Sequence, residues 1–316
     1  MSSSYLQEAD KLIEEAHKHL KTGLFKWRAD YDCAAPCFEK AALAYKKAKQ
    51  FEKSAGLFLN AADCHYKNSS RFHAGKAYEE AGLVCKDMKK FDQFIAHFDH
   101  ASNLYLEDGT PDTAALSLIR AGKCVEPIEP QWALEVFNKA ADIYENEVDG
   151  RQRSAVEVVG RCSRLLVKMS RLDDAVKSLE REKQLYGQVD GGDHAASARL
   201  VCYQVLIHLK NGDEVMASLT VRDACEQLSG FSVSEEYNVL SEVIEALAQR
   251  DQQKASGLLR LPLFKYMDAC YARLARDLSA SASAKSSELA EPVAAAAATE
   301  GAAAGGDVTA EDLDLL

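Results

Sequence analysis

The chain has 316 residues, 47% of them hydrophobic and 28% charged, with a formal net charge of −11. This is material for one large or two ordinary domains with a substantial core, while no apolar stretch approaches the roughly 20 residues of a membrane-spanning helix. The acidic balance argues against nucleic acid as a partner, because neutralising phosphates requires a basic surface.

The N-terminal MSSSYLQEADKLIEEAHKHL is helical in pattern and carries acids where a signal peptide would need a basic start, so no export is expected. GLFKWRADYD, Gly23 to Asp32, follows it. A loop normally runs over the surface on turn-forming polar residues, yet Leu24, Phe25 and Trp27 crowd into this one beside Lys26 and Arg28. Two readings stay open: the apolar side chains face outward for use, or they fold back as a staple over the first hairpin.

Beyond the loop, apolar residues recur at i, i+3, i+4 and i+7 with almost no strand signal, so the chain reads as all-α. A large residue flanked three positions away by small or apolar ones repeats at Phe38, Phe58, Tyr78, Phe98, Leu118, Phe137, Val159 and Leu179, at intervals of 20, 20, 20, 20, 19, 22 and 20. A helix plus a short turn fills each interval, and short turns force antiparallel neighbours. Seven positions after the central residue stand Tyr105, Val125, Tyr144, Leu166 and Tyr186, so the aromatic returns on alternate helices and the unit is a pair of about 40 residues. Pro111 and Pro130 suit first helical turns, with Thr110 as an N-cap. The expected fold is a tetratricopeptide-like right-handed array of antiparallel helix hairpins, longer per unit than the 34 residues of that repeat, capped by a C-terminal helical bundle.

The spacing fails after Tyr186. Residues 1–190 are expected to form the array and 191–278 the bundle, with helices near 194–210, 213–228, 234–250 and 262–278. Residues 279–316 are expected to be a disordered Ala/Ser-rich tail with seven acids against one lysine.

Motifs for chemistry are missing from the sequence: no GxxxxGK[ST], HExxH, GxSxG or EF-hand loop is present, so no catalytic residue, cofactor or small-molecule substrate is expected. His97 and His100 share a helix face but lack further ligands, so no metal is expected there. Nine cysteines without a CxxC pair read as small buried apolar residues in a reducing cytoplasm. One charge pattern stands out. Residues 151–182 hold eight basic and five acidic side chains, and at 100° per residue Arg164, Lys168 and Arg171 share a face pointing away from Cys162, with Arg161 close by. The stripe reads as a solvated helix face or as a docking surface for an acidic partner.

The stretches KTGLFKWRADYD, AKQFEKSA, FHAGKAYEEAG, LYLEDGTPDTAALSLIRAGK, SRLLV and LPLFKYMDACYARL, in register from about residue 11 to 278, together resemble the gamma branch of the soluble NSF attachment protein (SNAP) family. The resemblance implies a non-enzymatic adaptor in vesicle trafficking, cytoplasmic and peripherally associated with membranes. Such an adaptor binds assembled SNARE complexes and recruits and stimulates the ATPase NSF, which disassembles them after membrane fusion. It further implies a membrane-touching loop at Leu24, Phe25, Lys26, Trp27 and Arg28. Burying three such apolar side chains is worth on the order of 5–9 kcal/mol before ordering costs, and each basic neighbour adds about 1 kcal/mol at an anionic surface. The basic stripe, Arg161, Arg164, Lys168 and Arg171, becomes the candidate SNARE contact. The family's NSF-contacting end matches Leu263, Phe264, Lys265 and Tyr266, with Leu315 and Leu316 at the terminus loosely similar. The competing expectation from the repeat alone is a tetratricopeptide-like scaffold that clamps a peptide and has no part in SNARE disassembly.

Overall fold

A computed structural model describes residues 2–23, 27–146, 150–189 and 194–300, with side chains described for 5–23, 27–146, 150–189 and 194–284. Among the described residues every regular element is helical. The chain divides into two compact units, Met1–Gly192 and Asp193–Leu316.

The first unit contains α1 (Ser2–Leu20), α2 (Tyr31–Lys47), α3 (Phe51–Lys67), α4 (Arg71–Asp87), α5 (Phe91–Glu107), α6 (Pro111–Val125), α7 (Pro130–Glu145), α8 (Gln152–Lys168) and α9 (Leu172–Gln188). Each packs on the next in sequence. The predicted central residues fall at the middle of α2 to α9, and all are buried except the half-buried Tyr78. Tyr105 and Tyr144 are buried seven positions after their central residues, as the alternate pattern requires.

Small residues decide how closely paired helices approach. A Cβ on Gly75 would stand 2.9 Å from the Tyr105 ring, one on Gly82 2.9 Å from Phe98, and one on Gly122 2.5 Å from Phe137. In each case the glycine is on the even-numbered helix of a hairpin and the ring on the odd one, so the aromatic lies flush on bare backbone. The last hairpin substitutes a carboxylate: a Cβ on Gly160 would meet Glu182 Oε1 at 2.6 Å. Glu182 is buried there and accepts from the Ser163 hydroxyl at 3.2 Å.

The turns carry a device that the sequence hides. Lys49, Ser69, Lys89, Gly109 and Ser170 all have positive φ, between 59° and 77°, one residue before the next helix's N-cap. The following amide reaches back to the carbonyl five residues earlier, as in Gln50 to Tyr45 and Ser70 to His65, each at 2.9 Å. This left-handed closure satisfies the helix's last carbonyls in three residues, although four of the five positions are not glycine. Thr110 is indeed the residue before α6, but its hydroxyl donates to the Tyr105 carbonyl at 3.0 Å and makes no bond to an α6 amide. It closes the helix behind it instead of capping the one ahead.

The second unit contains α10 (His194–Lys210), α11 (Glu214–Gln227), a 3-10 turn at Phe231–Val233, α12 (Glu235–Ala248), α13 (Gln252–Leu258), α14 (Pro262–Lys265) and α15 (Ala269–Glu300). α10 is buried on nearly all sides from Ala196 to Leu209 and packs on α11, α12 and α15, which makes it the central rod. The single helix expected over 262–278 is two elements, because the chain turns after Lys265 and restarts on the Asp268 carbonyl, which accepts from the Tyr271 and Ala272 amides at 2.9 and 3.0 Å. α13 was not expected at all. The helix also continues past residue 278: Ser279 is buried and donates to the Ser256 carbonyl at 3.1 Å, Arg260 donates to Ser279 Oγ at 2.9 Å, and Ala282 is buried beyond it. Short serine and alanine side chains, read as tail composition, here let α15 lie close against α13.

Three stability outcomes follow from this packing and these turns. Gly122→Ala gains about 1 kcal/mol of helix propensity but drives a methyl into a fully buried ring, an overpacking cost of about 1–3 kcal/mol, so its melting temperature should fall. Gly56→Ala, where nothing lies within 4 Å, should melt higher. Lys49→Gly removes the left-handed penalty of about 1 kcal/mol, and should raise the melting temperature with an unchanged far-ultraviolet spectrum.

Candidate functional site

Three surfaces were expected to work. The first is the α1–α2 junction, which is longer than the turns of three to six residues elsewhere in the array. It spans residues 21–30, and its root is closed by the Asp30 amide donating to the His19 carbonyl at 3.0 Å. Asp30 then caps α2, its Oδ1 accepting from the Cys33 amide at 3.1 Å. Trp27 is 88% exposed and Arg28 is exposed, so Trp27 does not fold back as a staple. Leu24, Phe25 and Lys26 lie outside the described residues. An indole left in water is an unfavourable exposure unless something else covers it.

The second surface is the basic stripe. The helix register brings Arg161, Arg164 and Lys168 onto one side of α8. Arg171 does not join them, because α8 ends at Lys168, Ser170 is left-handed, and Arg171 is already the N-cap of α9. The expected face was drawn by running one helix through a turn. Arg161 Nε lies 3.1 Å and Lys168 Nζ 3.4 Å from the same Glu126 carboxylate, at the end of α6. The Arg161 guanidinium also covers the Phe137 ring at 5.2 Å. Arg171 grips Asp174 at 2.6 and 2.9 Å and Gln131 at 2.8 Å. Three of the four predicted cations therefore tie one hairpin to the next. Between α6 and α8 two cavities of about 170 and 390 Å³ open, the first lined by Leu116, Lys123 and Arg161, the second by Lys123, Pro130 and Lys168. The apolar side chain of Leu116 is 53% exposed at the rim. The face is an amphipathic groove whose edges carry Lys123, Arg161 and Lys168 together with Glu126 and Glu157.

The third surface is the segment from Leu261 to Asp268. Phe264 is buried at the floor of a cavity of about 640 Å³ edged by Arg260, Lys265 and Arg276, so it holds the unit together and offers no free surface. Leu263 is half-buried. Lys265 and Tyr266 are outside, Tyr266 80% exposed with the Lys265 ammonium 5.8 Å from its ring centroid. Leu315 and Leu316 lie outside the described residues. Sequence reading missed Val215 and Val233, which are 70% and 81% exposed in the same unit. Each falls at a helix start or in the 3-10 turn, where heptad-like patterning gives no signal.

His97 and His100 flank the Tyr78 ring, with centroids 6.0 and 5.5 Å away. Burial, and then the neighbouring His100, hold the His97 pKa below its usual value. Neither histidine belongs to a cluster of three metal-ligating groups among the described residues. Cys37, Cys64, Cys85, Cys162 and Cys202 are buried, and burial pushes the Cys162 thiol up to about 12. No described helix is long and apolar enough to cross a membrane.

The sequence model of the family described as soluble NSF attachment protein, SNAP, matches residues 7–260. The chain belongs to that family. It is 23% identical over 281 residues to the gamma-soluble NSF attachment protein of Dictyostelium discoideum, covering 89% of this chain and 85% of the relative. Identity to the gamma-soluble NSF attachment protein of Arabidopsis thaliana is 24% over 271 residues, 86% of this chain and 91% of that one. The human alpha-soluble NSF attachment protein is 23% identical over 256 residues, 76% of this chain and 82% of its own length. The family match takes in the α1–α2 junction and the α6–α8 groove and stops just before Leu263.

Because Trp27 packs on nothing that holds the fold, Trp27→Ser should leave stability within about 0.5 kcal/mol of the parent. Differential scanning fluorimetry checks this, and a drop of several degrees would restore the staple.

Proposed function

We propose that the protein is an adaptor that performs no chemistry, binding assembled SNARE complexes along its helical array and recruiting and stimulating the ATPase NSF for their disassembly. The observation that carries this reading is the family match over residues 7–260 on an array of antiparallel hairpins. The relatives are named for attachment to NSF, and that partner comes to this chain through them. The α6–α8 groove supports the SNARE half of the reading. A coiled bundle presents acidic and apolar ridges, and the groove offers exposed Leu116 beside Arg161, with Lys168 at its second cavity and Arg164 on the same side of α8. Arg171 contributes from the neighbouring turn.

Membrane contact is assigned to the α1–α2 junction: Leu24, Phe25 and Trp27 enter the interface, and Lys26 and Arg28 face lipid headgroups. Such an anchor is comparable with a single acyl chain and therefore reversible, so residence on a membrane requires the SNARE contact as well. The protein on this reading is cytoplasmic and peripherally bound. NSF contact is assigned to the second unit at Lys265 and Tyr266, with Leu263 beside them and Leu315 and Leu316 as further candidates at the end of the chain.

The deciding experiment is a pull-down on a preassembled SNARE bundle, with and without NSF and a non-hydrolysable nucleotide. Retention of the protein by the bundle and of NSF by the protein is expected. Failure of both refutes the adaptor and returns the repeat to a peptide-clamping scaffold. Arg164→Glu with Lys168→Glu should weaken bundle capture several-fold at an unchanged helical spectrum. Serine at Leu24, Phe25 and Trp27 together should abolish liposome co-sedimentation and leave bundle capture in solution intact.

A further inference from the structure

The root of the α1–α2 junction gathers five metal-ligating side chains from two pieces of chain, α1 and the capped start of α2. Glu15 and His19 lie one helical turn apart on α1, and Cys33 and Cys37 one turn apart on α2, so each pair shares a helix face. α1 and α2 are packed neighbours, and Asp30 stands between them as the residue that opens α2. The ligand atoms of Glu15, His19 and Cys37 lie within 4.8 Å of one another, and so do those of His19, Asp30 and Cys33. His19 is common to both sets.

The backbone holds this arrangement in place before any ion arrives. The bond from the Asp30 amide to the His19 carbonyl sets the two residues side by side. The Asp30 carboxylate is oriented by the Cys33 amide through Oδ1, while Oδ2 lies 3.6 Å from His19 Nδ1. Two ligands on one tetrahedral zinc, each bonded at about 2.0–2.2 Å, stand roughly 3.4 Å apart. The Asp30–His19 separation, which is also that of an ion pair, leaves room for one ion between the two groups.

We propose that this junction is a zinc site built on His19, Asp30 and Cys33, whose ligand atoms converge, and completed by Cys37, which meets His19 from the Glu15 side and has to turn toward the other three, with Glu15 adding negative charge at the edge. Two thiolates, an imidazole and a carboxylate form a donor set suited to zinc and poorly suited to calcium or magnesium, which take oxygen ligands. Binding would release the protons of the two thiols to solvent as the zinc–sulfur bonds form. Cys33 is exposed, which gives the ion a path in. Bound zinc would clamp the end of α1 to the start of α2 beneath the loop.

The test uses the untagged full-length protein, reduced, stripped with a chelator and titrated with zinc against a chromogenic competitor, then with cobalt as a spectroscopic substitute. One equivalent per chain and a cobalt–thiolate charge-transfer band are expected. His19→Ala, and Cys33→Ser with Cys37→Ser, should each weaken zinc binding at least about tenfold, and the cysteine pair should remove the band. Cys225→Ser, a thiol on α11, should change neither. Melting curves establish that the variants fold, and Cys33→Ser alone, at an exposed position, must by itself diminish the band. No retained zinc, a cobalt spectrum without thiolate absorption, or a band that survives the double substitution overturns the assignment.

Discussion

The array depends on how near two helices can lie when a ring must fit between them. At Gly75, Gly82 and Gly122 the answer is bare backbone, with Tyr105, Phe98 and Phe137 resting where a Cβ would be. Interior packing has no slack at this scale, so a single methyl is felt. That contact fixes the distance within a hairpin, while the left-handed turns at Lys49, Ser69, Lys89, Gly109 and Ser170 fix its rotation. With both settled, the helices must recur at twenty residues. The interval breaks at the turn after α6, where Pro127 stands and no described residue is left-handed, and again after the longer connection between α7 and α8.

A second order of contact runs between helices two apart, through long side chains. Glu52 meets Lys90, Glu79 meets Arg120, Asp99 meets Lys139, Asp112 meets Arg151, Glu126 meets Arg161 and Lys168, and Asp142 and Glu145 meet Arg181. In these the acid is on the earlier helix and the cation on the later, while Lys46 of α2 meets Asp87 of α4 in the opposite sense. Most are exposed and worth about 0–1 kcal/mol each. Glu79 is different, being buried beside Tyr105, whose phenol burial and then the Glu79 charge hold well above its usual pKa. A buried carboxylate needs its partner, so Arg120 is the tie that specifies register. The ladder also changes the meaning of the basic stretch at 151–182. Its surplus was counted in a window of thirty-two residues, while the acids that answer it stand about forty positions earlier, at Asp112, Glu126, Asp142 and Glu145.

What the sequence could and could not show follows from the same geometry. Spacing, helix faces and central residues were legible because they are periodic. The turns were not, since lysine and serine stand where glycine would have announced a left-handed residue. Ser279 and Ala282 carry tail-like composition yet pack on α13, and only the placement of Ser256 reveals it. Of the surfaces, the loop was legible from Trp27, an apolar residue with no helical phase to satisfy. The stripe was legible as residues but not as a face, because the end of α8 separates Arg171 from Arg164 and Lys168. The cluster around His19 was illegible: its ligands come from two helices and a cap, and no short motif links them.

The α1–α2 junction stands apart from every other turn of the array. Elsewhere the chain reverses in three to six residues, and here it takes ten. Lengthening a loop adds little closure entropy, of order 0.6 kcal/mol per doubling, so stability does not forbid it. Neither does stability call for it, since Trp27 contributes no burial. The two features of the junction divide its labour. The tip carries Trp27, an indole that the described fold does not bury, and the root carries a capping aspartate and a backbone bond that hold its ends together, with the proposed zinc ligands beside them. On the proposed reading, a contact made by the exposed Trp27 would be passed through that root to α1 and α2. Because α1 packs on α2 and every later helix of the array packs on the one before it, the junction belongs to the same run of packed helices as the α6–α8 groove.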